Sequence, residues 1–272
     1  MAINTHSPIG IFDSGIGGLT IASEVIRKLP NEEVIYFGDT AHMPYGDKSP
    51  ALVRYYGTKI VEFLIGKGCK IIVIACNTIS SVIYDDVVEI FGNRVQFVNV
   101  VDPLVHGLAR LEQLNKVGII GTKGTIKTGI YERKLKELRP DVDVRSLATP
   151  LLAPMIEAGF FNNQISKAVI ETYLKEECFN DIEAMVLACT HYPLIKKDIE
   201  EFYAGKVAVY DSTDFVSEVV RDALNVKGLL STKRIGGPNK FFASDITESF
   251  DKTAKNFFGD DVHLEYANIW DL

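Results

Sequence analysis

The stretch Ile71-Ile-Val-Ile-Ala-Cys76-Asn-Thr78 constrains the fold of this chain more than any other. A continuous apolar run, β-branched on both faces, ends abruptly in a thiol, an amide and a hydroxyl. A strand that does not alternate is buried on both faces, which is the signature of a parallel sheet covered by helices. Open parallel sheets bind ligands just beyond the carboxyl ends of their strands. Cys76 stands at such an end, and Ser80-Ser81-Val82-Ile83 opens a helix behind it. The positive end of that helix is expected to make the Cys76 thiolate more accessible. Much later the chain repeats the phrase as Ala184-Met-Val-Leu-Ala-Cys189-Thr-His191.

The flanking sequence supplies the rest of an α/β alternation. Pro8–Phe12 and Glu33–Phe37 read as buried strands. Between them lie the glycine-rich turn Asp13-Ser-Gly-Ile-Gly-Gly18 and a helix over Leu19–Leu29, stopped by Pro30. Pro50–Ile65 is a second helix, ended by Gly66-Lys-Gly68. Arg94–Val101 is a strand, Asp102-Pro103 a turn and Leu104–Leu114 a helix. Lys116–Ile120 is a strand running into the loop Gly121-Thr-Lys-Gly-Thr125. Helices follow over Tyr131–Leu138 and Gln164–Glu177. Val207–Tyr210 leads to Asp211-Ser-Thr213, a cap for a helix through Leu224. Phe241–Ser244 is a short strand, and Asp245 a cap for the last helix.

Two spacings suggest an internal repeat. Ile9-Gly-Ile-Phe and Val117-Gly-Ile-Ile begin 108 positions apart, and Cys76 and Cys189 lie 113 apart. The expected fold is therefore α/β with two pseudo-symmetric lobes, each a mainly parallel sheet flanked by helices. Residues 1–98 plus 208–272 would form the first lobe and 99–207 the second. Lobes facing through the carboxyl ends of their sheets would put Cys76 and Cys189 on opposite walls of one cleft, where the active site is expected. The length, 272 residues, suits one large domain or two smaller ones. A net charge of −7 argues against general binding to nucleic acid or anionic membranes. The N-terminus lacks a basic stretch followed by an apolar one, so no signal peptide is expected. No apolar run reaches the length of a membrane span. None of the four cysteines forms a CxxC pair, which points to a cytoplasmic chain with reduced thiols.

A cysteine at a strand end is often just a small buried residue. Cys69 and Cys178 fit that description. Cys76 and Cys189 are each followed by hydrogen-bonding residues, Asn77-Thr78 and Thr190-His191. Two thiols across a cleft suit one chemistry: a thiolate takes a proton from one face of a carbon while a thiol delivers one to the other. An ordinary thiol pKa of roughly 8.5 leaves both protonation states within reach. Asp13 and His191 are candidates to tune them, although a turn cap and a satisfied core histidine are equally good local readings. Tyr45-Gly46, Asn77-Thr78 and Thr190 offer neutral donors suited to a carboxylate or small zwitterion. Glu157, before Ala158-Gly159, reads on its own as a solvated charge. Gly15-Ile-Gly17-Gly18 with Asp39 invites a dinucleotide reading, but Thr20 stands where the third glycine belongs. Trp270 reads as a packing residue.

Taken together, Asp13-Ser-Gly-Ile-Gly-Gly18, Gly38-Asp-Thr-Ala-His-Met-Pro-Tyr-Gly46, Ala75-Cys-Asn-Thr78 and Ala188-Cys-Thr-His-Tyr-Pro193 resemble the bacterial glutamate racemases, of the cofactor-independent aspartate/glutamate racemase superfamily. Gly121–Ile126, Met155–Gly159 and Phe242–Ser244 fit the same pattern, so the resemblance spans nearly the whole chain. It implies interconversion of L- and D-glutamate without pyridoxal phosphate or metal, supplying D-glutamate for peptidoglycan. By motif position Cys76 would act on the D-enantiomer and Cys189 on the L-enantiomer. Asp13 and His191 match assisting residues, and Glu157 a further acid of secondary role. Asp13, Ser14, Tyr45, Gly46, Asn77, Thr78, Thr190 and His191 match the substrate-binding positions. A homodimer is the common assembly.

The chain departs from the pattern at His42, often arginine, at Asp47, often a small hydroxyl or asparagine, and at Ala188, often glycine. The few residues before the first strand give no reason to expect the control by a peptidoglycan precursor that accompanies an N-terminal extension in some members. An aspartate or broader amino-acid racemase, a non-catalytic binding protein on the same fold, and a nicotinamide oxidoreductase are the competing readings.

Overall fold

The computed structural model describes residues 3–233, 237–260 and 262–270. The tips of the expected first lobe, residues 1–2 and 271–272, and residues 234–236 and 261 lie outside the described residues. Ten described strands run in chain order: β1 (Ile9–Asp13), β2 (Val34–Gly38), β3 (Ile71–Ile74), β4 (Gln96–Asn99), β5 (Lys116–Gly121), β6 (Asp143–Ala148), β7 (Ala184–Ala188), β8 (Ala208–Asp211), β9 (Lys240–Ala243) and β10 (Leu264–Tyr266). They form two sheets, ordered β10-β9-β2-β1-β3-β4 and β6-β5-β7-β8. Every pairing is parallel.

The two sheets share a plan. The order β2-β1-β3-β4 in the first recurs as β6-β5-β7-β8 in the second. The Gly-Ile strands β1 and β5 therefore occupy equivalent places. So do β3 and β7, the strands that lead to the two cysteines. Strands β9 and β10 extend the first sheet beyond the repeat. Helices cover both faces of each sheet, and alternate residues of a strand feed different cores. Ile9 and Ile11 of β1 join one apolar cluster and Phe12 another. In the second sheet Ile119 and Ile120 of β5 part in the same way. This double coverage is why β1, β2, β3 and β7 are buried along their whole length.

The boundary expected at residue 208 is corrected by strand pairing. Ala208–Asp211 pairs with β7, so it belongs to the second sheet, and the chain returns to the first lobe only after Asp211. Val216, Val220 and Leu224 of the following helix (Val216–Val226) then pack in the β1 core. At the outward crossing, the helix expected from Leu104 begins at Val101 and ends at Ala109. Asn99 starts it early, its Oδ1 accepting the amides of Val101 at 2.8 Å and Asp102 at 2.7 Å. Pro103 sits in the first turn, where a missing N–H costs nothing. The loop expected at Gly121–Thr125 instead contains a short helix, Lys123–Thr128, capped by Thr122. The last helix (Glu248–Phe258) is capped by Thr247, not Asp245. Trp270 packs as expected, against His42 and Tyr56. No described helix is long and apolar enough to cross a membrane.

Candidate active site

The carboxyl ends of β3 and β7 bring the two cysteines to one cavity. Cys76 is the N-cap of the helix Asn77–Phe91, and Cys189 follows directly on β7. Each is 6% exposed. Ser14, Tyr45, Gly46, Asn77 and Thr78 line the cavity from the first lobe. Glu157, Thr190 and His191 line it from the second. Its volume is about 20 Å³, room for roughly one water. An amino acid therefore enters only if the walls move apart.

On the first wall, the Cys76 thiol lies 3.6 Å from Ser14 Oγ. Burial pushes the Cys76 pKa up to about 12, with the Asp13 carboxylate adding to the rise. The Ile79 amide, at the helix N-terminus, and Ser14 pull the other way and lose. This corrects the expectation that the helix end makes the thiolate accessible: desolvation of a fully enclosed sulfur outweighs one turn of helix dipole. At rest Cys76 is a thiol.

Asp13 ends β1, next to β3, and is fully buried. It does not line the cavity. Its Oδ2 accepts the Gly15 amide at 2.9 Å, and its Oδ1 accepts the Thr190 hydroxyl from the other lobe at 3.3 Å. Burial raises its pKa, and the opposing pull of His191, two backbone amides and Thr190 does not cancel that rise. A carboxyl held this way can exchange a proton with its surroundings without facing the ligand.

On the second wall, His191 Nδ1 lies 3.6 Å from Cys189 Sγ. Its Nε2 lies 3.0 Å from Glu157 Oε1, a close ionic contact that falls off the line of a hydrogen bond. Burial alone would lower the His191 pKa, but contact with Cys189 and Glu157 overrides it and holds the ring well above the ordinary imidazole range. A protonated His191 thus offers Cys189 either a proton or a counter-charge. Glu157 ends the helix Leu152–Glu157 and points inward, so it is not the solvated charge that its local sequence suggests.

Glycines let the lobes meet. A methyl on Gly17 would lie 2.6 Å from His191 Nδ1 and 2.7 Å from Thr190 Oγ1. One on Gly46 would lie 2.7 Å from Thr122 Cβ. Thr122 is a lining residue that sequence reasoning missed. It directly follows β5 as Ser14 directly follows β1, so the repeat itself was the available signal. Thr122 Oγ1 contacts Thr78 Oγ1 at 2.9 Å across the cleft. Pro44 and Ala153 complete the lining without polar side-chain chemistry.

Comparison with known proteins fits this geometry. The family model described as Asp/Glu/hydantoin racemase matches residues 20–219. The chain belongs to the Asp/Glu/hydantoin racemase family. A glutamate racemase of Geobacter metallireducens is 37% identical over 251 residues, covering 92% of each chain. One of Neisseria meningitidis is 38% identical over 257 residues, covering 94% of each. The solved structure of a Francisella tularensis glutamate racemase, in complex with D-glutamate, matches with a TM-score of 0.89 at 34% identity, over 98% of this chain and 100% of that one.

In this member of the racemase family the dinucleotide reading loses its parts. Gly17 packs on His191 and Thr190. Asp39, the would-be ribose acid, is fully buried and accepts from Ser244 at 2.6 Å and Tyr45 at 2.5 Å, with His42 Nδ1 at 2.8 Å. It braces the Pro44-Tyr45-Gly46 wall instead. Among the described residues, no three His, Cys, Asp or Glu side chains cluster as metal ligands. Cys69 lies apart from the cavity under Gly10, its pKa pushed up to about 12 by burial, and Cys178 is half-buried elsewhere. Both fit the structural roles read from the sequence.

Proposed function

We propose that this chain interconverts L- and D-glutamate by a two-thiol mechanism without a cofactor. The carrying observation is that the cysteines after the equivalent strands β3 and β7 line one cavity from opposite lobes. Racemisation needs one group on each face of Cα. In one direction Cys189 as thiolate takes the α-proton of the L-enantiomer, and Cys76 as thiol gives its proton to the opposite face. In the other direction the roles reverse. The C–H bond broken and the C–H bond formed balance, and one proton has moved from Cys76 to Cys189.

The neighbouring groups support both halves. The high pKa of Cys76 keeps it charged with a proton to deliver. When it must act as base, the ammonium of the bound amino acid and the Ser14 hydroxyl stabilise the thiolate, and Asp13 is placed to exchange its proton. His191, backed by Glu157, does the same for Cys189. The carbanion that forms is stabilised by spreading charge onto the α-carboxylate, which the Asn77 side-chain amide and nearby backbone amides receive.

Glutamate is favoured over aspartate by the relatives of high coverage, which are glutamate racemases. The same reading places the chain in the cytoplasm, as a homodimer that supplies D-glutamate for peptidoglycan. The test is circular dichroism of L- and D-glutamate, incubated separately with the purified protein and no added cofactor. Both signals should decay toward zero, and neither should decay with Cys76→Ala or Cys189→Ala. Persistence of both signals with the intact protein would refute glutamate as substrate, and aspartate would be tried next.

A further inference from the structure

One cross-lobe hydrogen bond is not explained by the chemistry above. The Tyr131 hydroxyl, in the second lobe, donates to Asn77 Oδ1, in the first. Asn77 is 2% exposed and lines the cavity, yet its Nδ2 has no hydrogen-bond partner. A buried amide N–H₂ without a partner keeps its full desolvation penalty, so native proteins seldom leave one idle.

An asparagine amide has two orientations that exchange its acceptor and its donor. A hydroxyl donating to Oδ1 selects one of them. Tyr131 stands at the start of the helix Ile130–Leu138, just after the left-handed Gly129. Its ring is buried in the second-lobe core with Ile130 and Leu135. Burial also drives the phenol pKa far upward, so the hydroxyl remains a neutral donor at any working pH. The group that selects the orientation is therefore rigid and constant, and it belongs to the opposite lobe from the amide it selects.

We propose that Tyr131 is a positioning residue for the racemase site: by holding Asn77 Oδ1 it turns Nδ2 toward the cavity as a donor for a carboxylate of the substrate. This rests on the glutamate racemase reading and extends it. It also ties recognition to lobe placement. When the lobes part, the Tyr131 contact is lost, the Asn77 amide is free to rotate, and the donor no longer points at the ligand. Closure thus completes the binding site, and opening dismantles it.

The experiment is calorimetric titration with racemic glutamate, whose composition the enzyme does not change, together with KM and kcat for each enantiomer. Tyr131→Phe keeps the ring and removes only the hydroxyl. It should weaken binding and raise both KM values by about tenfold, the scale of one hydrogen bond with its partner left buried, while kcat changes less than KM. In an Asn77→Ala background, the same substitution should add nothing to the binding loss. Asn77→Asp retains an acceptor for Tyr131 but lacks the donor, and should bind as poorly as Asn77→Ala. Unchanged affinity in Tyr131→Phe, additive losses in the double variant, or normal affinity in Asn77→Asp would each overturn the proposal. If the intact protein neither binds nor racemises glutamate, the functional reading fails with it. A racemising protein with an indifferent Tyr131→Phe sinks the positioning role alone.

Discussion

Replacing Gly17 by alanine adds one methyl group at the point where the lobes touch, and its effect can be worked from the structure. The backbone at Gly17 has no positive φ, so alanine is not strained there by conformation. The cost comes from contact. The new carbon would lie 2.6 Å from His191 Nδ1, 2.7 Å from Thr190 Oγ1 and 2.8 Å from His191 Cε1, against ordinary contact from 3.4 Å upward. Relief requires a shift of about 0.6–0.8 Å of the second wall. That wall has little freedom, because Thr190 is bound to Asp13 and His191 lies between Cys189 and Glu157. Overpacking of this kind costs about 1–3 kcal/mol of stability, which a protein of this size survives. Displacement of a catalytic group by nearly 1 Å is more serious and costs about 10²-fold in rate. Gly17→Ala should therefore fold and lose about 10²-fold in kcat for both enantiomers. Gly15→Ala meets only the flexible end of Met43 and should lose far less. Racemisation rates by circular dichroism, with thermal melts of the same samples, decide the matter. Wild-type kcat in a folded Gly17→Ala protein would refute the inter-lobe contact as drawn.

Three further outcomes follow from the same geometry. Cys69 and Cys76 have pKa values pushed up to about 12, above the ordinary thiol value of roughly 8.5. A raised native value means the folded state keeps protons that the unfolded chain releases, so their stabilising contribution is full below about pH 8.5 and lost as pH rises toward 12. Melting temperature should fall across that window, and fall less steeply in Cys69→Ala. Glu157→Gln removes one of the groups that hold the His191 pKa up. The basic limb of the kcat/KM profile for L-glutamate should therefore move to lower pH, and an unmoved limb would detach Glu157 from His191. Lys70→Met removes the partner of the buried Glu32, where the ion pair measures 2.5 Å and Lys70 also donates to the Thr5 and Leu229 carbonyls. Stability in denaturant should drop by about 3–5 kcal/mol with KM unchanged, because the pair lies away from the cavity.

The sequence exposes the parts of this fold in which local chemistry and tertiary demand agree. The apolar runs at Ile71–Ile74 and Ala184–Ala188 have one stable use, a strand covered on both sides, and each ends where a parallel sheet puts its ligands. The shared Gly-Ile opening of β1 and β5 therefore marks equivalent central strands. The parts that stayed hidden depend on partners distant in sequence. Strand β6 carries Arg145 and Ser146 because its sheet edge is exposed, so no apolar run announces it. Asn99 as a helix cap was masked by Asp102-Pro103, which reads equally well as a turn. Glu157 has the local signature of a surface charge and faces inward only because His191 waits there. The Cys76 pKa turns on how completely the second lobe closes over it, which no local pattern records. Tyr131 sits in a helix whose charged residues suggest a solvated face, and nothing near it in sequence points to Asn77.

The central claim is that two separate thiols serve the two faces of Cα. It is tested most directly by racemising protiated L-glutamate in D₂O and reading deuterium at Cα in both pools at low conversion. The account expects nearly every D-glutamate molecule to carry solvent deuterium, delivered by Cys76, while unreacted L-glutamate remains largely protiated. D-glutamate that retains the substrate's own proton would show a single group working both faces and would contradict the two-thiol site.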